Sequence, residues 1–313
     1  MTSVIICTYN RAPSLLRVLH SLAAMIVPDD LEWEILVIDN NSRDATKAVV
    51  TDFAPNTKLN IRYVFEGNQG LNHARNTGVM EALGEIVSFI DDDVVVAENW
   101  IGEIREAFNT YSVVCVGGRV LLQPGIRKPD WWDGLYDDAL GKFDNGGTIF
   151  LPDEYYTSIV GIGANLSFKR SVFHTYGLFR PELDRHGRKL LMGGEIEFYD
   201  RLRGNGEATM YYPHAVVYHC PDMERLTRQY LRRWYFRIGQ WHGLRENSRA
   251  TKGVPSLLGI PRWRCRLALE HCLRTVRLSL RLRRKEAFVS ELQFLTALGS
   301  LYGAMKRAGR VYE

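Results

Sequence analysis

The first half of the chain alternates short apolar runs with longer amphipathic segments, and this alternation restricts the fold more than any other feature. Five runs rich in Val and Ile predict strands at residues 3–7, 34–38, 61–65, 86–90 and 113–116. Helical spacing of apolar residues predicts helices at 12–25, 71–82 and 100–108. Short strands rich in Val and Ile are typical of parallel sheets covered on both faces. We therefore expect an α/β fold with a mainly parallel central sheet flanked by helices.

Three of these predicted strands end in polar residues. Residues 8–10 follow the first strand, residues 39–41 the second and residues 91–93 the fourth. Because ligands bind outside the carboxyl ends of the strands in an open parallel sheet, these ends predict one binding crevice. A Rossmann-type dehydrogenase is not expected, since the first strand lacks the G-x-G-x-x-G glycines.

The rest of the chain divides into two parts. A Gly-, Asp- and Trp-rich stretch over residues 131–154 indicates a loop or lid. A Gly-rich strand at 160–168, a loop at 185–194, a helix at 195–203 and a strand at 208–218 are expected next. After residue 222 the apolar spacing is helical throughout. We assign residues 1–222 to an α/β catalytic domain and residues 223–313 to a basic α-helical C-terminal extension.

Charge is distributed unevenly along the chain. Residues 1–224 carry 20 Lys and Arg against 31 Asp and Glu, whereas residues 225–313 carry 20 Lys and Arg against 5 acidic residues. Opposite charge balances indicate different partners for the two parts. Five scattered cysteines, no recognisable secretory leader and no apolar run of transmembrane length lead us to expect a cytoplasmic protein.

Three consecutive carboxylates, Asp91, Asp92 and Asp93, follow the predicted strand at 86–90. Adjacent like charges repel one another, and a divalent cation relieves that repulsion. Mg²⁺ in particular binds one or two carboxylates together with the phosphates of a substrate. The alternative is an acidic turn that caps the helix near Trp100.

Gly70, Arg75 and Asp39 are further candidates for the crevice. Gly70 opens a predicted helix whose N-terminal amides suit an anion, and Arg75 lies one turn further on, where it can bind a phosphate or an acid. The alternative is a glycine-initiated helix with a surface arginine. Asp39 can accept a hydrogen bond from the imide of a uracil or from a ribose hydroxyl, or it can cap a turn or helix before Asp44.

The residues after the first strand suit a nucleotide. Thr8, Tyr9 and Asn10 can hydrogen-bond a base or a ribose, and Arg11 can reach a diphosphate. The alternative is an ordinary strand-to-helix turn in which Asn10 is the helix cap.

In order and spacing these motifs resemble the family 2 glycosyltransferases, which have the GT-A fold. The resemblance spans about residues 2–220. The matching segments are 4–11 (VIICTYNR), 37–42 (VIDNNS), Gly70 with 74–76 (ARN) and Gly78, 91–93 (DDD), 163–165 (GAN), 193–197 (GGEIE) and His219. Each motif is weak alone, but their joint order is specific.

The resemblance implies an inverting, metal-dependent hexosyltransferase. Such an enzyme moves a sugar from a nucleotide diphosphate donor, here a UDP-sugar, to a sugar, lipid-linked or other hydroxyl acceptor. Cell-surface polysaccharide or glycolipid synthesis is the expected setting. With the residue chemistry above, the nucleotide-sugar site comprises Thr8, Tyr9, Asn10, Arg11, Asp39, Gly70, Arg75, Asp91 and Asp92.

The resemblance also implies a metal site for Mn²⁺ or Mg²⁺. Asp91 and Asp93 would form the D-x-D pair, with Asp91 towards the ribose or a metal-bound water and Asp93 on the metal. His219 is similar to a histidine that some members place on the metal or the diphosphate. A satisfied structural histidine is the alternative.

The catalytic base is assigned to Glu195, with Glu197 as the reserve candidate. Members commonly carry Gly-Glu-Asp-x-Asp/Glu before a helix that ends in Arg-Leu, and counting back from Arg201 places Glu195 at the base position. Gly194 stands where an acid is usual. A carboxylate there can take the acceptor proton as the oxygen attacks the anomeric carbon. The alternative is two acids that stabilise a helix N-terminus through its dipole.

Two groups are candidates for contacts with phosphate or acceptor. Trp131, Trp132 and Tyr136 can stack on an acceptor sugar or a lipid head group, or pack as an apolar patch under a lid. The basic loop at residues 185–189 can bind phosphate on the donor or on a lipid-linked acceptor, or it can be a solvated loop.

The C-terminal extension predicts two amphipathic helices. The first carries the apolar stripe Leu269, Leu273, Val276 and Leu280 beside the basic stripe Arg274, Arg277, Arg281 and Arg284. The second carries Phe288, Leu292, Leu295, Leu298, Tyr302 and Met305. Basic amphipathic helices bind anionic membranes, so we expect peripheral association with the inner face of the cell membrane. The alternatives are a helical bundle packed on the body and a homo-oligomer interface. No nucleic-acid partner is expected, because no known nucleic-acid-binding motif is present.

Two other functions remain open from the sequence. A sugar nucleotidyltransferase has a related α/β core but needs a Gly-rich first loop followed by a lysine, where this chain has Thr8-Tyr9-Asn10-Arg11. A non-enzymatic membrane adaptor on a transferase scaffold predicts loss of the metal-binding and base acids, which this chain retains.

Overall fold

A computed structural model describes residues 1–152, 159–183, 194–245, 256–257 and 260–311. The described residues form two compact units. The first takes its residues from Met1–Ile126, Leu140–Lys189 and Gly193–Pro221, and the second from Arg127–Ala139 and Asp222–Glu313. Segment 127–139 therefore groups with the C-terminal helices, although it lies inside the range 1–222 assigned above to the catalytic domain.

The first unit is built on an eight-stranded sheet. Its strands are β1 (Thr2–Thr8), β2 (Trp33–Asp39), β3 (Ile61–Phe65), β4 (Ile86–Asp91), β5 (Val94–Val96), β6 (Cys115–Leu122), β7 (Asn165–Lys169) and β8 (Thr209–His219). The order across the sheet is β3-β2-β1-β4-β7-β6-β8-β5. β1, β2, β3 and β4 run parallel, as do β6 and β8, whereas β7 and β5 pair antiparallel with their neighbours. The predicted α/β architecture with a mainly parallel sheet is confirmed.

Helices cover both faces of this sheet. They are α1 (Ala12–Ala23), α2 (Thr46–Phe53), α3 (Leu71–Glu81), α4 (Trp100–Thr110), α5 (Ser171–Tyr176) and α6 (Gly194–Gly204). Successive residues of β1 enter different cores: Val4 and Ile6 pack in one apolar cluster with Leu15 of α1, and Ile5 packs in the other with Ala74 of α3. Burial on both faces explains why β1 is apolar without alternation.

Two strand predictions need correction. The strand expected at 113–116 begins at Cys115 and continues to Leu122, and the one expected at 160–168 begins only at Asn165. Gly117 and Gly118 lie inside β6, where neighbouring segments approach the backbone closely. A Cβ would collide with Val160 at position 117 and with Asn165 at position 118. Glycines that permit close packing inside a strand resemble a strand end in sequence. Strand β5 and helices α2 and α5 were not predicted.

The second unit is mainly helical. Its described helices are α7 (Arg228–Arg245), α8 (Arg262–Leu280) and α9 (Arg284–Val311), and α9 packs against the other two. The expectation that everything after residue 222 is helical is wrong at the two-residue strands β9 (Ser256–Leu257) and β10 (Ile260–Pro261), which pair antiparallel. No helix in the described part of the chain is both long and apolar enough to cross a bilayer.

The aromatic residues of segment 127–139 belong to the core of this second unit. The rings of Trp131 and Tyr136 each lie 5.9 Å from the ring of Phe288 in α9. Trp132 packs against both of them. These contacts match the alternative in which the three rings form a packed apolar patch.

Candidate active site

The parallel register of the sheet brings the predicted strand-end residues level with one another. Thr8 pairs with Asp39 across β1 and β2, and Cys7 pairs with Asp91 across β1 and β4. The three polar strand ends therefore lie at one edge of the sheet, as the sequence predicts.

The antiparallel pair of β5 and β8 brings His219 to the aspartates. Val94 of β5 lies opposite His219 of β8, and the amide of Cys220 donates to the carbonyl oxygen of Asp93 at 2.8 Å. This pairing brings a histidine 126 positions away in sequence next to the aspartates. The family resemblance had already indicated His219 as a metal or diphosphate ligand, but the strand β5 that brings it there was not predicted, because it has only three residues.

Asp92 and Asp93 share Arg11 as a partner, and Asp92 also bonds Thr8. Thr8 donates its hydroxyl to Asp92 at 2.8 Å, and Arg11 Nη1 lies 3.3 Å from Asp92 and 2.5 Å from Asp93. The pKa of Asp92 is raised to about 7. Burial is the largest cause, the nearby Arg11 guanidinium opposes it, and the charges of Asp93 and Asp91 add to it. Arg11 thus offsets part of the repulsion that concentrates at this turn.

Asp91, Asp93 and His219 form a cluster suited to a metal ion. One ligand atom from each lies within 4.8 Å of the others, and His219 Nε2 is 3.1 Å from Asp93 Oδ1. His219 Nδ1 is buried and has no hydrogen-bond partner among the described residues. Two carboxylates and an imidazole fit Mn²⁺ or Mg²⁺, because carboxylate oxygens are preferred ligands of both.

Gly141 gives the His219 ring its space. Its φ is +85°, and a Cβ there would lie 3.2 Å from the imidazole. A side chain at this position would therefore strain the backbone and press on the proposed ligand.

Arg75 and Glu195 form a second polar centre. Arg75 is 5% exposed, and its Nη1 lies 3.1 Å from Glu195 Oε2 and 3.2 Å from Asn72 Oδ1. Burial lowers the pKa of Arg75, but the charges of Glu195 and Asp91 outweigh that effect, so the net shift is upwards. A Cβ at Gly163 would collide with the guanidinium, which is why a glycine stands there. The surface-arginine alternative is therefore wrong.

Glu197 has a different environment from Glu195, although only Ile196 separates them on α6. Its carboxylate lies 2.7 Å from Arg201 Nη2 and 3.4 Å from Arg180 Nε. Arg201 in turn donates to the carbonyl oxygens of Tyr176 and Leu178. Glu197 therefore helps to anchor α6, and only Glu195 pairs with Arg75.

Among the residues predicted to bind the nucleotide, Asp39 is buried and already accepts two hydrogen bonds. They come from the amide of Ser42 at 2.9 Å and from the hydroxyl of Tyr63 at 2.7 Å. Burial and the adjacent Asp39 carboxylate raise the pKa of Tyr63. A carboxylate has about four lone-pair positions, so Asp39 retains the capacity to bind a ligand.

Asn10 and Tyr9 lie on the exposed side of the site. Asn10 has φ +52° and accepts from the amide of Arg43 at 2.7 Å, so it joins two loops and does not cap α1. The first amide of α1, that of Ala12, donates to Asp44 at 3.0 Å. Tyr9 is 43% exposed.

Gly70 is the N-cap residue of α3 and has φ +150°. Its amide donates to Asn40 Oδ1 at 2.7 Å, and Asn40 also donates to the carbonyl oxygen of Asn68 at 2.7 Å. Asn40, together with Asn72, supports the site but was not among the predicted site residues. Its one sequence signal was its place next to Asp39 at a strand end. The basic loop at 185–189 lies outside the described residues.

A family model described as Glycosyl transferase family 2 matches residues 3–177, more than half of the chain. The chain belongs to this family. The resemblance drawn from the sequence motifs is thereby confirmed, and the protein is a glycosyltransferase.

Two relatives illustrate the range of this glycosyltransferase family. The succinoglycan biosynthesis protein ExoM of Rhizobium meliloti is 28% identical over 239 residues, which are 76% of this chain and 72% of that protein. The GalNAc(5)-diNAcBac-PP-undecaprenol beta-1,3-glucosyltransferase of Campylobacter jejuni is 39% identical over 201 residues, which are 57% of this chain and 63% of that protein.

Solved glycosyltransferase structures share the fold. The mannosyltransferase PcManGT from Pyrobaculum calidifontis, in complex with GDP-Man and Mn²⁺, aligns with a TM-score of 0.63 at 18% identity. The alignment covers 98% of this chain and 86% of the PcManGT chain. S. aureus TarS 1-349 in complex with UDP-GlcNAc aligns with a TM-score of 0.55 at 17% identity, covering 96% and 90%. These alignments confirm the GT-A fold of this glycosyltransferase.

Proposed function

We propose that this glycosyltransferase is an inverting, metal-dependent hexosyltransferase that uses a UDP-sugar and an acceptor hydroxyl. One observation carries the proposal: the Asp91–Asp93–His219 cluster is near the Arg75–Glu195 pair, since the negative charge of Asp91 helps to raise the pKa of Arg75. Transfer from a sugar diphosphate needs a place for a divalent cation and a carboxylate that accepts a proton, and these two groups supply both.

Donor binding is assigned to the strand ends. Thr8, Arg11 and Asp39 hold the nucleoside part, with Arg75 towards the diphosphate. Since the neighbours described above contain GDP-Man and UDP-GlcNAc, the fold accommodates either base. The preference for uridine is an inference from the family resemblance and from Asp39, which can accept from the uracil imide.

Asp93, Asp91 and His219 would hold Mn²⁺ or Mg²⁺. When bound, such an ion stabilises the negative charge that develops on the departing diphosphate. Arg11 orients Asp92 and Asp93 through its hydrogen bonds to both carboxylates.

Glu195 is the proposed base. Its carboxylate takes the proton of the acceptor hydroxyl while that oxygen attacks the anomeric carbon on the face opposite the diphosphate. One displacement of this kind inverts the anomeric centre. Arg75 fixes the orientation of the Glu195 carboxylate, whereas Glu197 is engaged by Arg180 and Arg201.

The acceptor proposal rests on the relatives. One of them is named for transfer to an undecaprenol-linked glycan, and another for the synthesis of a polysaccharide. We infer a lipid-linked sugar acceptor in cell-surface polysaccharide or glycolipid synthesis, used at the cytoplasmic face of the membrane. Residues 1–222 would supply the catalytic domain, and residues 223–313 an accessory extension.

Donor hydrolysis without an acceptor tests the core of the proposal. Purified protein is incubated with UDP-glucose, UDP-galactose, UDP-N-acetylglucosamine or GDP-mannose, with Mn²⁺, with Mg²⁺ or with EDTA. We expect release of UDP from at least one UDP-sugar, supported by Mn²⁺ or Mg²⁺ and abolished by EDTA. Undiminished hydrolysis in EDTA would refute the metal assignment, and hydrolysis of GDP-mannose alone would refute the uridine assignment.

A further inference from the structure

Helix α8 exposes the residues that a helix in a bundle normally buries. Four apolar side chains form a stripe at helical spacing on its outer face. They are Leu269, Leu273, Val276 and Leu280, with exposed fractions of 60%, 61%, 53% and 80%. Its inner face instead buries Arg264 and Ala268, which are 4% and 7% exposed. A surface helix of a globular protein turns its apolar stripe towards the core, so this arrangement indicates an external apolar partner.

An exposed basic row adjoins the apolar stripe. Arg274, Arg277 and Arg281 are exposed, and among the described residues no acidic side chain pairs with them. Residues 262–285 contain nine Lys and Arg and one acidic residue, Glu270. The partner of this face must therefore be negatively charged as well as apolar.

The turn after α8 continues the same chemistry. Leu282 is 79% exposed, and it lines a cavity of about 310 Å³ together with Arg228, Arg284, Thr275 and Ser279. Guanidinium and hydroxyl groups are donors that suit phosphate oxygens. Arg232, also in the lining, is held by Glu291 at 2.6 Å. The cavity thus places phosphate-binding groups beside an exposed leucine.

We propose that α8 and residues 281–285 dock on an anionic phospholipid bilayer. The leucine stripe enters the boundary between head groups and acyl chains, and the arginine row and the cavity contact lipid phosphates. A second copy of this chain fits less well, because isologous pairing would place two strongly basic faces against each other. Docking on a bilayer would bring the enzyme to a lipid-linked acceptor. Only this last link rests on the proposed function.

Vesicle co-sedimentation of the full chain tests the proposal. Vesicles of pure phosphatidylcholine are compared with vesicles that contain about one-third phosphatidylglycerol, at low salt. We expect binding to the anionic vesicles alone. Leu269→Gln/Leu273→Gln/Leu280→Gln should reduce that binding by more than about tenfold, because each change removes apolar area from the interface. The matched control Ile26→Gln/Met80→Gln/Leu83→Gln alters equally exposed apolar residues of the first unit and should have no effect.

The basic row is tested in the same way. Arg274→Gln/Arg277→Gln should weaken binding by about fivefold per arginine, since each basic residue near an anionic surface contributes about that factor. Lys58→Gln/Arg105→Gln removes two cations from the first unit and serves as the control. Acceptor-independent donor hydrolysis is measured for every variant, so that failure of the active site is distinguished from failure of docking.

Three outcomes would overturn the proposal. The first is a wild-type chain that ignores anionic vesicles at low salt. The second is binding to pure phosphatidylcholine that matches binding to the anionic vesicles. The third is a leucine variant that keeps full vesicle binding but loses an oligomer of the wild type in sedimentation velocity, which would assign the stripe to a second copy of the chain.

Discussion

Glu195 and Glu197 illustrate how much one residue of separation changes a side chain's chemistry on a helix. Both lie in the first turn of α6, where the helix dipole favours acids. Yet Glu195 pairs with Arg75, whose pKa is also raised by the negative charge of Asp91. Glu197 pairs instead with Arg180 and Arg201. The dipole alone does not explain these pairs, because it acts on both acids alike.

Glu195→Gln should lower kcat by about 10²–10⁴-fold, because the amide keeps the shape of the side chain but cannot accept the proton. Nucleotide affinity, measured by calorimetry, should stay within a few-fold. Glu197→Gln is the matched control and should reduce kcat far less, with any loss appearing as a lower melting temperature. A dead Glu197 variant beside a nearly normal Glu195 variant would move the base by two residues. Full turnover in both variants would refute the mechanism.

Asp93→Ala should abolish the dependence of nucleotide binding on Mn²⁺ or Mg²⁺, since it removes an anionic ligand from the cluster with Asp91 and His219. Binding measured by calorimetry with and without the metal should give the same weak affinity. Asp137→Ala, which removes an acid paired with Lys128 in the second unit, is the control. Metal-dependent binding that survives in the Asp93 variant would contradict the assignment.

At the scale of elements, Asp44 joins the starts of two helices. It accepts from the amide of Ala12 at the start of α1 and from the amide and hydroxyl of Thr46 at the start of α2. Burial raises the pKa of Asp44, but the hydrogen bonds from Thr46 and Ala12 outweigh it, so the net pKa is lowered. A lowered pKa in the folded state means that the ionised side chain stabilises the fold.

Asp44→Ala should reduce the free energy of unfolding by about 1 kcal/mol at pH 7, the usual effect of losing a helix cap. The stabilisation is present above the unfolded pKa of about 3.9 and is lost as the pH falls through the lower folded value. Urea unfolding at pH 7 and at pH 3 should therefore show a smaller difference from wild type at the lower pH. Asp52→Ala, an exposed acid on α2, should cost little at either pH. An equal loss at both pH values would argue against the ionised cap.

Most of the elements that the sequence predicted correctly are buried on both faces or along one full stripe. β1, β2 and β4 are buried over most of their length, and α1 buries one stripe. β3 is the exception, since it contains Arg62 and is only partly buried. The missed elements depend on tertiary contacts. β5 has three residues and is defined by pairing with β8, and α2 has two buried residues.

The same distinction applies to the site. The strand-end residues could be predicted, because each follows a recognisable strand. Asn165 could not be given its role: its carboxamide accepts from the indole of Trp100 and donates to the carbonyl oxygens of Arg119 and Ala215. Such contacts between distant segments leave no periodic pattern. Helical spacing alone predicts that Glu195 and Glu197 point to different faces, but which of the two pairs with Arg75 could be read only from the structure.

At the scale of the whole molecule, the charge of the chain is divided between its parts. Residues 1–224 hold an excess of acids and residues 225–313 a larger excess of bases, although the net charge is only +4. In the first part, the charged side chains Arg75, Asp92 and Asp93 of the candidate site are buried. In α8 the basic row is exposed. Salt screens exposed charges strongly and buried pairs weakly, so the two parts should respond differently to ionic strength.

Raising NaCl from 0.1 to 1 M shortens the Debye length from about 10 Å to about 3 Å. Binding of the full chain to phosphatidylglycerol vesicles should therefore fall by more than about tenfold, because the arginines of α8 act through exposed charge. Donor hydrolysis in the same buffers should change by less than about twofold, since Arg75 and Glu195 lie 3.1 Å apart in a largely buried pair. The Arg274→Gln/Arg277→Gln variant should show a shallower salt dependence of vesicle binding, as fewer lipid counterions are released. Parallel decline of binding and hydrolysis would show instead that both rely on one exposed electrostatic surface, and that the division of charge along the chain has no functional counterpart.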